Sequence, residues 1–267
     1  AITKFIYRPE DSGVLNYLDD DGTLVEPEFY APIIPMILVN GSVGIGTGFS
    51  TDIMCYNPTS IISYLKSILN GSVPDVTIEP YYEGFTGTIK KVEDNKYLFK
   101  GVYDIVDTNS IRVTELPVGT WTEKYKEFLE KTMDTSSGDD KKSKKKKTSI
   151  IKEYKDMSTD TKVDIVVTFN KGVLEPLLQK DWQYGCNELE NVMNLTSTKK
   201  TSNMHVFDED QRLRKFDSPE SIIDHYIPIR THYYKLRKEH LLSQLERDVT
   251  LLSNKARFIE EQCEDVI

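Results

Sequence analysis

The sequence predicts an α+β chain that closes on a long helix, and three observations predict it. Between Thr86 and Thr114 apolar and polar residues alternate. Helical spacing appears in Ile61, Ile62, Leu65, Ile68 and Leu69 and again from Trp121 to Lys131. Past Pro228, the residues Leu241, Leu245, Val249, Leu252, Ala256, Ile259 and Cys263 recur at steps of three and four. Alternation marks a half-buried strand, and three-four spacing marks one face of a helix. At 267 residues and 38% hydrophobic content, the chain can bury a sizeable core in one or two domains.

The elements follow in order. Asp19-Asp20-Asp21-Gly22 reads as a hydrated Asp-Gly turn between Tyr17-Leu18 and Leu24-Val25. As a calcium loop the same run would put Tyr17 at the first ligand position and Pro27 in the exiting helix, so no metal ligand is assigned. Pro32 to Val39 reads as a buried, proline-bounded strand. Asn57-Pro58-Thr59 starts a helix that Asn70-Gly71 stops. Strands are expected at Thr88-Ile89-Lys90, Tyr97-Leu98-Phe99, Tyr103-Asp104-Ile105 and Ile111-Arg112-Val113, with bends at Gly87, Asp94-Asn95, Gly101 and Asn109-Ser110. The helix from Trp121 to Lys131 leads to Lys141-Lys142-Ser143-Lys144-Lys145-Lys146-Lys147, where dense like charge predicts a solvated loop. Strands return at Val163 to Phe169 and at Met204 to Phe207. A helix then begins at Asp217-Ser218-Pro219-Glu220, and Pro228 should kink or interrupt it.

The stretch richest in chemistry is Asn40-Gly41-Ser42-Val43-Gly44-Ile45-Gly46-Thr47-Gly48. Glycines let backbone take positive φ or approach a surface closely, so such a loop can hold Ile45 out as a wedge against something flat, such as a base pair. Gly48 is followed by Phe49-Ser50 rather than Lys-Ser/Thr, which excludes a P-loop, and G-x-G-x-G is not the dinucleotide spacing. Glycine content alone leaves open a structural loop with Ile45 tucked into a core.

Other features bound the function. Cys55, Cys186 and Cys263 are far apart and form no C-x-x-C pair, as expected of reduced, intracellular thiols. His225, His232 and His240 lie two turns apart on one stripe, too far to share a metal ion, and read as packing or surface residues. No apolar run approaches 18 residues and no signal-peptide pattern is present, so neither a membrane span nor secretion is expected. The net charge of −9 opposes bulk attraction to DNA, yet Asn191 to His205 carries no acids and includes Lys199-Lys200. Phosphate contacts need local donors rather than a basic average.

Five stretches, Val25-Glu26-Pro27-Glu28-Phe29-Tyr30, Pro32-Ile33-Ile34-Pro35-Met36, Leu38-Val39-Asn40-Gly41, Gly44-Ile45-Gly46-Thr47-Gly48-Phe49-Ser50 and Tyr56-Asn57-Pro58, resemble the DNA cleavage and rejoining core of eukaryotic-type type IIA DNA topoisomerases. Gly84-Phe85-Thr86-Gly87-Thr88-Ile89, Glu115-Leu116-Pro117-Val118-Gly119-Thr120-Trp121-Thr122 and Ala256-Arg257-Phe258-Ile259 continue the resemblance in collinear order over nearly the whole chain. Ser42-Val43 stands where the family commonly has Ala-Glu, and Gly119 where it usually has a basic residue.

The resemblance implies the end of a winged-helix cleavage module at residues 1–57, a mixed α+β tower or shoulder domain at 58–216, and the start of a coiled-coil arm toward the C-terminal gate at 217–267. It implies that Ile45 intercalates from the minor groove and bends double-stranded DNA, with Gly44, Gly46 and Thr47 against the duplex beside it. It gives Asn194-Leu195-Thr196-Ser197-Thr198-Lys199-Lys200-Thr201-Ser202-Asn203 contacts to the flanking DNA arms. The residues alone would allow an ordinary polar loop there. Tyr7, beside Arg8 and Lys4, matches the family's apolar helix end after the catalytic tyrosine, so no catalytic residue is assigned and the nucleophile is expected ahead of Ala1. The complete enzyme, expected to be a homodimer, would use magnesium and ATP, with neither bound by this segment. It would be intracellular: nuclear in a eukaryotic cell, or in the host cell or virion of a large DNA virus. The competing expectation is a noncatalytic DNA-bending or architectural module.

Overall fold

The computed structural model describes residues 2–134 and 149–263. The chain begins with α1 (Thr3–Ile6), β1 (Tyr17–Asp20), β2 (Thr23–Pro27), α2 (Met36–Asn40), β3 (Ser42–Gly46), β4 (Phe49–Ile53) and α3 (Pro58–Leu69). It continues through β5 (Thr88–Glu93), β6 (Lys96–Lys100), β7 (Val102–Asp107), β8 (Ser110–Glu115), α4 (Thr122–Asp134), β9 (Ile151–Asp156), β10 (Ile165–Phe169), α5 (Leu174–Gln179), α6 (Glu188–Val192) and β11 (Thr196–Lys200). It ends with β12 (Met204–Phe207), β13 (Leu213–Phe216) and the long helix α7 (Pro219–Cys263), so the fold is α+β as expected. These elements form two compact units, one of Ala1–Glu79 with Asn203–Ile267 and one of Pro80–Ser202. Among the described residues no helix is long and apolar enough to cross a membrane.

In the first unit, β1 and β2 form a hairpin across Asp21-Gly22, at φ 49° and 84°. Two successive positive φ values suit a two-residue hairpin turn, and Asp19 Oδ1 accepts from the Gly22 amide at 2.6 Å. The segment expected as a strand from Pro32 to Val39 is instead capped by Pro35 and coils into α2, with Leu38 buried. A continuous apolar run serves a buried strand or a buried helical turn equally well. Helix α3 starts as expected, with Asn57 Oδ1 accepting from the Thr59 amide at 2.8 Å.

Helix α7 opens on a cap in which Ser218 Oγ accepts from the Ser221 amide at 3.2 Å, with Pro219 in the first helical position. It then runs unbroken through Pro228, where an interruption was one expectation. The flanking turns are clamped: the Tyr226 hydroxyl donates to Pro32 O, and Arg230 Nη1 donates to Ala31 O at 2.7 Å and Asp11 Oδ2 at 2.8 Å. Tertiary contacts on both sides thus hold a proline that would weaken an isolated helix.

The second unit holds a three-stranded sheet, β11-β6-β5, and a four-stranded sheet, β7-β8-β10-β9. Ile111, Val113, Ile165, Val167 and Phe169 join Tyr125 and Leu129 of α4 in its core. Buried Glu190 closes a capping box with Asn187 and receives Lys100 Nζ at 2.5 Å. Strand β9 and the helices α5 and α6 were not expected. Ile-Lys-Glu-Tyr-Lys-Asp is too charged to read as a strand, and the helices are six and five residues long, below the span over which helical periodicity can be read. The expected loop at Lys141 to Lys147 lies outside the described residues.

Candidate nucleic-acid interface

Strands β3 and β4 make a hairpin with the pairs Ser42–Ile53, Val43–Asp52, Gly44–Thr51, Ile45–Ser50 and Gly46–Phe49, closed by Thr47-Gly48. Ile45 stands near the tip and is 95% exposed. A side chain left this far out adds no packing to the core. The structural-loop alternative, with Ile45 buried, is therefore not the arrangement adopted.

The hairpin is rigidly mounted. The Asn203 backbone oxygen accepts from the Asp52 amide at 2.8 Å, and Asn203 Nδ2 donates to Ser50 Oγ at 2.8 Å. His205 Nδ1 lies 2.9 Å from Ser50 O. The Phe49 ring meets Phe207 edge-on at 6.0 Å between centroids, and thus packs the hairpin onto β12. β12 is itself tied to β13 through the turn that Asp208 organises, accepting from the Arg212 amide at 2.8 Å and Arg214 Nε at 2.7 Å. The Arg212 amide and the Arg214 guanidinium hold the Asp208 carboxyl below the usual carboxylate range.

The loop glycines divide the expected roles between them. Positive φ occurs at Gly41 and Gly48, at 67° and 84°, while Gly44 and Gly46 lie in the strand. A Cβ on Gly41 would sit 2.8 Å from the Ile53 backbone oxygen. Gly41→Ala is therefore expected to lower stability by about 1–3 kcal/mol, read by urea denaturation, and an unchanged midpoint would show that the turn tolerates a side chain. A Cβ on Gly46 would meet the Phe49 ring at 2.6 Å, whereas one on Gly44 would meet nothing within 4 Å.

Half of the stretch from Asn194 to Asn203 is an edge strand rather than a loop: β11 pairs with β6 from Thr196–Lys100 to Lys200–Lys96. Asn194, Thr198, Lys200 and Ser202 are exposed, and Thr196, Ser197 and Lys199 are half-buried. Leu195 is in the core of its unit, and Thr201 is buried with its hydroxyl 3.4 Å from Asn95 Oδ1. Asn203 belongs to the hairpin mount described above. The burial of Leu195 and Thr201 was hidden because the segment's composition is uniformly polar around them.

Tyr7 follows α1 and packs edge-on against Tyr30 at 5.8 Å between ring centroids. Among the described residues, no group of three or more His, Cys, Asp or Glu side chains is placed to hold a metal ion. Sequence reasoning noted Val43 as a departure but missed its position: it is 74% exposed on the same face as Ile45. The V-x-I spacing at period two was the available signal.

The family model for the A subunits of DNA gyrase/topoisomerase IV matches residues 1–267. DNA topoisomerase 2 of Pisum sativum is 39% identical over 259 residues, covering 97% of this chain and 17% of the relative. DNA topoisomerase 2 of Drosophila melanogaster is 40% identical over 263 residues, covering 98% of this chain and 17% of the relative. The crystal structure of the Plasmodium falciparum topoisomerase II DNA-binding, cleavage and re-ligation domain matches with a TM-score of 0.87 at 31% identity, over 99% of this chain and 34% of that one. The chain thus spans about a sixth of the length of these topoisomerase 2 relatives.

Proposed function

Because the chain belongs to the family of DNA gyrase/topoisomerase IV A subunits, we propose that it is the DNA-gripping and DNA-bending part of a type II DNA topoisomerase. The carrying observation is the Ile45 side chain, 95% exposed on a hairpin that β12 holds in place. Driven into the minor groove, it opens one base step at a cost of a few kcal/mol, which the bent duplex offsets by covering more protein. Contact through an apolar wedge samples deformability rather than base identity, so sequence preference is weak.

In this proposal residues 1–57 finish the cleavage module, 58–216 form the tower or shoulder that holds the DNA arms, and 217–267 begin the arm toward the C-terminal gate. Gly44, Gly46 and Thr47 lie against the duplex beside the wedge, and the Asn194 to Asn203 stretch meets phosphates through Asn194, Thr198, Lys200 and Ser202, its exposed members. The complete enzyme acts as an intracellular homodimer, nuclear if it comes from a eukaryotic cell and in the host cell or virion if it comes from a large DNA virus. Paired tyrosines cut both strands, a second duplex passes with ATP hydrolysis, and magnesium supports cutting and resealing. The described residues offer no ligand cluster for that ion.

A short duplex with a donor and an acceptor dye at its ends tests the proposal: binding of the chain should shorten the end-to-end distance, and a bound but straight duplex would refute it. Lys200→Ala is expected to lower the salt slope of binding by about one unit, the worth of one lost phosphate contact. An unchanged slope would remove Lys200 from the interface.

A further inference from the structure

We infer that Val43 is a second groove contact, forming with Ile45 a two-residue apolar ridge that the duplex covers when the hairpin enters it. This rests on the wedge role proposed for Ile45. Side chains two apart on an antiparallel strand share a face and stand about 6.8 Å apart. On β3 that face carries Val43 and Ile45, 74% and 95% exposed. The other face carries Gly44 and Gly46, and the Phe49 ring packs against Gly46.

Ile45 sits one pair from the hairpin's last pair, Gly46–Phe49, and Val43 is set back from it along the strand. The minor groove is about 7.5 Å deep. A hairpin that brings Ile45 to the floor of a groove opened by the kink therefore carries Val43 inside as well, because its setback is smaller than the depth. Its isopropyl group meets the deoxyribose walls there, below the phosphates. Asp52 pairs with Val43 across the ladder and shares its face, so the phosphates' repulsion of its carboxylate is a cost that the Val43 contact offsets. An apolar contact releases no counterions, so its contribution is the same at low and high salt, unlike that of a lysine.

The test compares the full chain with Val43→Thr and Ile45→Ala on the doubly labelled duplex, reading affinity at two salt concentrations and the bend at saturation. Thr keeps the β-branched shape on an exposed strand, so the fold is retained. Val43→Thr is expected to weaken binding roughly four-fold or more, the worth of one buried methyl, by the same factor at both salts and with the bend preserved. If Val43→Thr binds like wild type while Ile45→Ala loses the bend, the ridge is refuted and the wedge stands. If neither substitution changes binding or bend, the wedge itself fails and the ridge with it.

Discussion

Asp11→Asn is expected to destabilise the first unit by about 3–5 kcal/mol, the usual result of removing one partner from a buried ion cluster. Asp11 is buried between two guanidiniums, with Oδ2 2.8 Å from Arg230 Nη1 and Oδ1 2.6 Å from Arg237 Nε. Tyr234 lies under both cations, its ring centroid 4.1 Å from the Arg230 guanidinium and 5.0 Å from that of Arg237. Without the carboxylate, Arg230 and Arg237 lose the counter-charge they share. Because Arg230 also clamps α7 to Ala31 O, the loss loosens the helix next to Pro228. Since domains are stable by only about 5–15 kcal/mol, an effect of this size is decisive.

The same cluster sets an acid limit. Burial alone would raise the Asp11 pKa, but hydrogen bonds from Arg237 and Arg230 hold it below the ordinary value. A depressed folded-state pKa contributes stability that is fully present above the unfolded value of about 3.9 and lost as pH falls through the folded one. Denaturation midpoints of the wild type should therefore drop steeply below pH ~4, and Asp11→Asn should lack that part of the drop. A variant as stable as wild type at neutral pH would show that the arginines find other partners.

Ile45→Ala is the second large effect, and it falls on function alone. The side chain is 95% exposed, so its removal leaves the denaturation midpoint unchanged. Binding to the labelled duplex weakens about ten-fold or more, and energy transfer falls back toward the straight-duplex value, because alanine is too short to hold a step open. A midpoint that shifts together with the bend would mean that residue 45 acts through folding instead.

What was legible in the sequence was chemistry that acts locally. Asp21-Gly22 fixes a tight turn, Asn57-Pro58 starts a helix, and the alternation from Thr88 to Val113 marks four strands, all readable without knowing what packs where. The elements set by tertiary contacts were not readable in this way. Met36 to Asn40 coils although its apolar run suits a buried strand equally well, and α7 survives Pro228 because Tyr226 and Arg230 tie it down on either side. The site divides along the same line. Glycines around an isoleucine announced the exposed tip, but its mount, built by Asn203, His205 and Phe49, joins residues about 150 apart.

The most direct test of the wedge is the fluorescence of 2-aminopurine moved position by position along a short duplex saturated with the chain. Wild type should brighten the probe over the free duplex wherever the weakly selective wedge can seat, and Ile45→Ala should abolish that brightening. A probe that stays quenched at every position under saturating wild-type protein would contradict intercalation by Ile45.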